Sequence, residues 1–284
     1  MLSLTSGGAV CDLLPEVGGA VGRFAVGGRE ILRPTRAGER AVRQTGCFPL
    51  VPFFGRVRDG RIDFRGEHIV LPPDPGFEPN AIHGQGWRNP WSVEESRADA
   101  ATLSYAHRAD AWPWDYAARE QFELTPESLR ITLALTNRSR RPMPYSIGFH
   151  PYFPRTPETV VRADVAGVWL ADENITPTEQ AAPDALLDLA HGARLADAPF
   201  VDNTHVGWSH RAAIVERGFA VEMSSDADFL HFFVPKAETF FCMEPVSAMP
   251  DAFNRQAQTG SGFRVLNADE TATVTMTLGV GAQW

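Results

Sequence analysis

Short alternating stretches separated by glycine and proline are the feature that most limits what this chain can fold into. Apolar and polar side chains alternate over residues 129–135 and 273–278, which is the period-two pattern of a half-buried strand. Residues 61–71 have the pattern of a β-hairpin, with its turn at Arg65-Gly66-Glu67. The 24 glycines and 22 prolines recur along the chain and interrupt any sustained helical periodicity.

Helices have little support in the sequence. The strongest candidate is short, covers residues 184–190 and is ended by His191-Gly192. Many short strands joined by turns indicate an all-β chain, folded as a large antiparallel β-sandwich with few short helices. The sequence contains no internal repeat, low-complexity tract or linker. We therefore expect residues 1–284 to form one domain, which an all-β fold of this length allows.

Charge and composition argue against several classes of function. A formal net charge of −9 is unfavourable for binding nucleic acid or an anionic membrane surface. No apolar run reaches the ~20 residues that a membrane-spanning helix needs. The three cysteines are widely spaced and odd in number, so the sequence indicates neither a disulfide framework nor a zinc site, and a reducing, cytoplasmic setting is expected. The N-terminal segment lacks the pattern of a signal peptide.

Two segments each place a proton-transfer group directly before a proline. They contain His150-Pro151 and Glu244-Pro245. Proline disfavours helical geometry in the residue before it, so both groups are predicted to lie at strand ends or in loops with extended backbones. An imidazole and a carboxylate held this way can supply an acid and a base to one substrate. A histidine among aromatic residues is more often a core residue than a catalyst, but a carboxylate after mostly apolar residues needs a partner or a function.

Three further segments carry polar groups in turn-rich surroundings, where functional loops usually lie. Arg56 follows a glycine after an apolar run, and its alternative explanation is an ordinary surface arginine. His83 precedes Gly84 in a glycine-rich turn that also contains Trp87, although such a turn with a capping histidine is common. Asp202 is a candidate second carboxylate, although an Asp-Asn pair is typical of a turn.

Taken together, these segments resemble the aldose 1-epimerase family, the galactose mutarotases. The resemblance spans residues 46–280, with the motifs in the family's order. His83-Gly84 is similar to the family's Leu-His-Gly-Gly region, and residues 150–153 are similar to its His-Ser-Tyr-Phe segment, which carries the general acid. Glu244-Pro245, followed by residues 249–254, resembles the surroundings of the family's catalytic glutamate.

The resemblance implies a β-supersandwich with its site in a cleft on the concave face, a monosaccharide substrate, and neither metal nor organic cofactor. It implies that Glu244 is the base and His150 the acid, which open and reclose the hemiacetal ring around a rotation about C1–C2. A nearby carboxylate is expected to favour the charged form of His150. The residues expected to hold the sugar, by hydrogen bonds or aromatic stacking, are Arg56, His83, Asp202, Trp87 and Tyr152, with Trp208 as a further stacking candidate.

Two departures from the family pattern leave the identity of the sugar open. Gly55 stands where the family usually has asparagine before its arginine, and Phe149 stands where it has asparagine before the catalytic histidine. The clustered Arg56, Arg58 and Arg61 favour an anionic sugar, and related proteins act on hexose 6-phosphates. A hexose-6-phosphate 1-epimerase is therefore an alternative.

Other kinds of function compete with an epimerase. A glycoside hydrolase needs two carboxylates ~5–9.5 Å apart, for which Asp202 and Glu244 are available, but it leaves His150 without a role. A non-catalytic sugar-binding protein on the same fold is a second alternative. A metal site has the least support, because the closest histidines, His205 and His210, lie five apart in a predicted turn. The sequence is compatible with a monomer or a homodimer.

Overall fold

The computed structural model, which describes residues 1–281, is built from strands whose side chains alternate between a buried and a more exposed face. The strands predicted at residues 129–135 and 273–278 are confirmed, and they extend to Ser128–Asn137 and Thr271–Gly281. The two strands pair antiparallel with their apolar side chains in register, so one face of the pair is buried.

The strands follow one another along the chain with short connections. In chain order they are β1 (Leu2–Ser6), β2 (Ala9–Leu14), β3 (Ala20–Val26), β4 (Arg29–Glu30), β5 (Cys47–Leu50), β6 (Arg56–Val57), β7 (Arg61–Phe64), β8 (Glu67–Val70), β9 (Ala81–Ile82), β10 (Ser92–Arg97), β11 (Ala100–His107), β12 (Tyr116–Leu124), β13 (Ser128–Asn137), β14 (Met143–Tyr145), β15 (Gly148–Pro154), β16 (Val160–Ala163), β17 (Gly167–Ala171), β18 (Pro177–Ala181), β19 (Ala193–Arg194), β20 (Val201–Val206), β21 (Arg211–Glu216), β22 (Phe219–Ser225), β23 (Phe229–Val234), β24 (Phe240–Val246), β25 (Arg264–Leu266) and β26 (Thr271–Gly281).

Two large antiparallel sheets contain most of these strands. The first sheet has eleven strands in the order β1-β2-β3-β5-β15-β24-β23-β20-β17-β18, with β4 paired to β3. The second has nine strands in the order β10-β11-β12-β13-β26-β22-β21-β16-β19. Three two-stranded pairs, β14–β25, β6–β9 and β7–β8, complete the structure. The predicted all-β, antiparallel class is confirmed.

The predicted hairpin and the predicted helix have different outcomes. The hairpin is confirmed as β7 and β8, joined by Arg65 and Gly66, which both have positive φ. The helix at residues 184–190 is wrong, because this segment is a series of turns. Leu187 and Leu189 are its buried side chains, and a spacing of two suits extended backbone better than a helix.

Helical residues in the described part of the chain are confined to short turns. Five 3₁₀ turns are present, at Val42–Gln44, Arg58–Gly60, Gly86–Arg88, Leu195–Asp197 and Ala252–Asn254. None of the helices within residues 1–281 is long and apolar enough to cross a bilayer. The three cysteines are free and buried.

The central strands of the first sheet are buried on both faces. In β15, Phe149 and Phe153 pack in the core between the two large sheets, whereas Tyr152 belongs to a smaller apolar cluster on the opposite face. In β24, Phe241 lies in the main core and Cys242 in the smaller cluster. Strands buried on both sides have nearly continuous apolar sequences. Polar side chains are therefore exceptional in these strands, and His150 and Glu244 lie on the face of the smaller cluster, which we call the second face of the sheet.

Candidate functional site

His150 and Glu244 lie within neighbouring strands, not at strand ends or in loops as the sequence suggested. The prolines that follow them do impose extended geometry, but β15 and β24 continue through them. The flanking pairs Gly148–Val246 and Tyr152–Cys242 set the register that brings the two groups side by side. His150 Nε2 lies 3.5 Å from Glu244 Oε1. The predicted acid and base are therefore adjacent.

Asp202 lies on the same face of the first sheet, in β20, which is separated from β24 by β23. The segment predicted as a turn is strand β20, because every residue from Val201 to Val206 pairs with β23. In this register Thr204 lies opposite His231, and His231 lies opposite Glu244. Asp202 Oδ1 is 2.9 Å from His231 Nε2. Thr204, His231, Glu244 and His150 thus form one row across neighbouring strands, and Asp202 joins this row through its contact with His231.

These side chains line a cavity on the second face of the first sheet. It has a volume of about 130 Å³ and opens to solvent. The lining residues are Arg43, Phe48, Phe54, Gly55, Arg56, Phe77, Ile82, His83, His150, Tyr152, Asp202, His231, Phe233, Glu244 and Pro250. Of the eight residues that the resemblance implied for catalysis or binding, six line this cavity, and Trp87 and Trp208 do not.

His83 reaches the cavity from a turn that glycine makes possible. Its backbone has φ 58°, and Gly84 follows with φ 70°. A Cβ at Gly84 would lie 2.3 Å from Pro52 Cδ, so the close approach of these two segments requires glycine. The Gly55 amide donates to His83 Nδ1 at 3.1 Å. Since Nδ1 accepts this bond, Nε2 of a neutral His83 carries the proton and can donate into the cavity.

Of the predicted cluster of Arg56, Arg58 and Arg61, only Arg56 reaches the cavity. Arg56 lines the cavity, where its Nη1 lies 3.2 Å from Asp202 Oδ2. Arg58 instead pairs with Asp172, and neither Arg58 nor Arg61 lines the cavity. Arg43 does line it, with its guanidinium 5.0 Å from the centre of the Phe77 ring.

Of the three aromatic residues considered for stacking, only Tyr152 borders the cavity. Its ring stacks on His150 with centroids 4.7 Å apart. Trp87 lies one layer behind, stacked on Phe48 and donating its indole N–H to the Gly84 carbonyl. Trp208 is part of the core between the large sheets. Trp87 therefore supports the cavity wall and does not reach its surface.

Burial controls the protonation of the central pair. Burial raises the pKa of Glu244 well above its ordinary value, and the nearby Asp202 charge raises it further, against an opposing effect of Arg56. Burial lowers the pKa of His150 to about 3, with a contribution from His231, although Asp202 acts in the opposite direction. The expectation that a carboxylate would keep His150 charged is wrong, because desolvation outweighs it. Both shifts favour the uncharged pair, with its one proton on Glu244.

Asp202 and His83 have the opposite balance between burial and partners. Burial alone would raise the pKa of Asp202, but the hydrogen bond and charge of His231, together with Arg56, lower it overall. Burial lowers the pKa of His83 well below its ordinary value, and His150 and Arg56 add to this. The cavity therefore presents a fixed carboxylate at Asp202 and a neutral imidazole at His83.

The two departures from the family pattern have structural explanations. Gly55 has φ 72°, and a Cβ there would lie 2.9 Å from Pro250 Cβ, so this turn leaves no room for a side chain. Phe149 is fully buried in the core on the opposite face of the sheet, since it alternates with His150 and Tyr152, the residues of β15 that line the cavity. Its replacement of asparagine therefore changes the core, not the cavity lining.

Sequence reasoning missed several lining residues, His231 and Arg43 foremost. His231 lies within an apolar run of five residues, Phe229–Phe233, which is the same signal that singled out Glu244. Arg43 belongs to a polar segment without a motif, and only the fold brings it to the cavity. The turn predicted for His205 is wrong: this residue belongs to β20, and its ring contacts Phe232 on the core side of the sheet.

Three neighbouring residues of β15 and β24 have the composition of a metal site. His150, Cys242 and Glu244 each offer a ligand atom, and these atoms lie within 4.8 Å of one another. Cys242 is fully buried, and burial raises the pKa of its thiol well above the ordinary value, which disfavours the thiolate that binds metals. The arrangement therefore suits proton transfer better, and independence from metal stays a prediction.

Comparison with known proteins identifies the family. Residues 1–279 match the profile of the aldose 1-epimerase family. The chain therefore belongs to the aldose 1-epimerase family.

Individual relatives agree with this assignment. The uncharacterized protein YphB of Escherichia coli K12 is 30% identical over 291 residues, which cover 98% of each chain. A crystal structure from Escherichia coli K12, provisionally called an aldose 1-epimerase, matches with a TM-score of 0.89 at 30% identity, covering 98% of each chain. A galactose mutarotase-like protein of Clostridium acetobutylicum has a TM-score of 0.88 at 19% identity, covering 99% of this chain and 95% of its own. The last likeness concerns the fold alone.

Proposed function

We propose that this protein is an aldose 1-epimerase that interconverts the α and β anomers of a free aldose. The observation that carries the proposal is the contact between His150 and Glu244, 3.5 Å apart in the cavity. Opening a hemiacetal requires a proton to leave the C1 hydroxyl and another to reach the ring oxygen. Both oxygens are bonded to C1, so an acid and a base that lie side by side can serve both.

The reaction begins with transfer of the shared proton from Glu244 to His150, which gives a carboxylate and an imidazolium. Glu244 then removes the C1 hydroxyl proton, the bond from C1 to the ring oxygen breaks, and His150 protonates that oxygen. The products of this step are the open aldehyde, a protonated Glu244 and a neutral His150. Rotation about C1–C2 exposes the other face of the aldehyde. The two groups then act in reverse, and the ring closes as the other anomer.

The electrostatics of the cavity set the energetic demand of this sequence. Burial raises the pKa of Glu244 and lowers that of His150, so the uncharged pair is favoured both before ring opening and beside the open aldehyde. The carboxylate and imidazolium are therefore a minor form that the pair must reach while the ring sugar is bound. The positive charge of Arg56 acts toward this form, because it favours the carboxylate of Glu244.

The remaining polar groups are suited to hold sugar hydroxyls. Asp202 offers a carboxylate as acceptor, Arg56 offers guanidinium donors, and His83 offers a neutral imidazole whose Nε2 can donate. Tyr152 borders the cavity, but His150 stacks on its ring and the Arg33 guanidinium lies 3.9 Å from the ring centre, so it forms part of the wall without a free face for stacking. This combination of fixed polar groups and an aromatic wall is common in small-molecule sites.

A glycoside hydrolase is less well supported by these contacts. Asp202 has Oδ1 bonded to His231 and Oδ2 paired with Arg56, which makes it a fixed hydrogen-bonding group, and a pair of catalytic carboxylates would leave the adjacent His150 without a role. Release of new reducing ends from alkyl or aryl glycosides would support hydrolysis. We expect none.

A second candidate is epimerisation of an anionic sugar such as a hexose 6-phosphate. Arg43 is the specific observation in its favour. It is exposed at the cavity and forms no salt bridge within residues 1–281, whereas Arg56 is paired with Asp202. Its positive charge is therefore available to a phosphate or carboxylate of a bound sugar.

Anomer exchange measured by NMR magnetisation transfer tests these functions together. Glucose, galactose, xylose, arabinose and glucose 6-phosphate are compared with and without protein. Acceleration for at least one sugar is expected, and binding without acceleration would leave a non-catalytic sugar-binding protein. Arg43→Ala should reduce exchange of glucose 6-phosphate selectively if the second candidate is correct, while Arg36→Ala, on the exposed surface, serves as the matched control.

A further inference from the structure

His231 is a buried polar residue whose two ring nitrogens both have partners. Its Nδ1 lies 2.8 Å from the Thr204 hydroxyl, and its Nε2 lies 2.9 Å from Asp202 Oδ1. Thr204 and His231 are directly opposite each other in β20 and β23, and only 1% and 3% of their surfaces are exposed. The two contacts therefore belong to a built network and not to a chance surface encounter.

The chemistry of the partners fixes the position of the proton on His231. A carboxylate can only accept a hydrogen bond, so the nitrogen that faces Asp202 must carry the proton. The opposite nitrogen of a neutral ring then accepts the Thr204 hydroxyl proton. The chain of bonds runs from the Thr204 hydroxyl to His231 and from His231 to Asp202.

Asp202 depends on this chain because its environment is otherwise unfavourable to charge. Its side chain is 11% exposed, and its second oxygen is paired with Arg56. A carboxylate so deeply buried needs hydrogen bonds from both sides to stay ionised and keep one orientation. His231 supplies the bond on the side of β23, and Arg56 supplies the bond on the side of β6.

We propose that His231 is a positioning residue that holds the Asp202 carboxylate in the orientation in which it meets the sugar, and that the Thr204 hydroxyl holds the His231 ring from its opposite nitrogen. The role of Asp202 as a partner of the sugar rests on the proposed function, whereas the hydrogen bonds that join Thr204, His231 and Asp202 do not depend on it. Outer partners that orient a functional group in this way typically affect affinity or activity by about 10–100-fold when removed, as with metal ligands.

A double-mutant cycle on anomer exchange tests the proposal. His231→Phe should lower kcat/KM by about 10-fold or more, chiefly through KM, because hydroxyl binding by Asp202 is common to the ground state and the transition state. In an Asp202→Asn background the same change should have less than about a 3-fold further effect, because the group that it positions is already lost. His231→Gln, whose amide can donate to Asp202, should restore part of the loss.

His205→Phe is the matched control for the cycle. His205 is a fully buried histidine of β20 that faces the core, and neither of its ring nitrogens has a partner. It should leave kcat/KM unchanged. An equal loss for His231→Phe with and without Asp202 would overturn the positioning role, because a purely structural effect is independent of Asp202.

Nitrogen-15 NMR of labelled histidine provides a second test that does not require activity. The His231 signals, assigned by their loss in His231→Phe, should show a protonated Nε2. An unprotonated Nε2 would overturn the hydrogen-bond chain whatever the kinetics. A wild-type protein that accelerates no anomer exchange but shows this tautomer would contradict the proposed function and leave the chain of bonds standing.

Discussion

Single residues define the chemistry of this protein because a few polar groups occupy strands that are otherwise apolar. Glu244 could be singled out from the sequence, since a carboxylate in an apolar run calls for a partner or a function. Its neighbour His150 was likewise predicted, but its neutral state was not. Desolvation depends on everything that packs around the ring, and the sequence does not reveal that packing.

The pKa of Glu244 gives a prediction for stability. Burial raises its pKa in the folded protein above the unfolded value, so this group favours folding at low pH and opposes it as pH rises toward the folded-state pKa. Glu244→Gln removes this dependence. The melting temperature of the variant relative to wild type should therefore increase from pH 5 to pH 8, as measured by thermal unfolding. A constant difference across this range would contradict a raised pKa.

His150 gives the complementary prediction at acid pH. Its folded-state pKa of about 3 lies below the ordinary value of 6.5, so the neutral ring favours folding at high pH. This contribution to stability is lost as pH falls from 6.5 toward 3. His150→Phe should accordingly lose less stability than wild type between pH 6.5 and pH 4, as followed by denaturant titration. An unchanged pH dependence would show that the ring is not buried as a neutral group.

The strands bring the site residues together in two ways: alternation decides which face a side chain lies on, and register decides which side chains become neighbours. Alternation along β15, β24 and β23 puts His150, Glu244 and His231 on one face and the core residues on the other. The alternating pattern made β13 and β26 predictable. Which strands become neighbours could not be read from one sequence, because β15 pairs with β24 across nearly a hundred residues. The turn predicted for Asp202 is wrong because the Asp-Asn pair is a local signal, and pairing with β23 makes the segment a strand.

The turn that carries His83 gives a prediction at this scale. Gly84→Ala would place a Cβ 2.3 Å from Pro52 Cδ at a φ of 70°, so the segment must shift and carry His83 with it. We expect a loss of ~1–3 kcal/mol in the free energy of unfolding and reduced anomer exchange. Gly38→Ala is the control, because it shares a positive φ of 80° but meets no atom within 4 Å. Equal losses in both variants would show that the tight approach is unimportant.

The whole molecule combines two large sheets around one continuous core cluster that contains residues from both. The period-two texture and the frequent glycine and proline made the all-β class predictable from the sequence. The cavity was not predictable in detail, because Arg43 and Phe77 reach it from connecting segments and His231 from β23, and one sequence does not reveal that these parts meet. A cytoplasmic location and a monomeric or homodimeric state remain predictions.

One domain over residues 1–284 is a further prediction at this scale. If the shared core makes the chain a single cooperative unit, thermal unfolding followed by circular dichroism and by tryptophan fluorescence should give coincident transitions. Two separated transitions would contradict it.

The most direct test of the account is the rate of anomer exchange of the best sugar in four proteins. Wild type should accelerate exchange, and Glu244→Gln and His150→Ala should each lower the rate by ~10²–10⁴-fold, the usual contribution of a positioned acid or base. Glu120→Gln is the matched control, because Glu120 is also a buried carboxylic acid with a raised pKa but lies outside the cavity lining. It should retain the wild-type rate. Undiminished exchange in Glu244→Gln or His150→Ala would contradict the assignment of this pair as the acid and base.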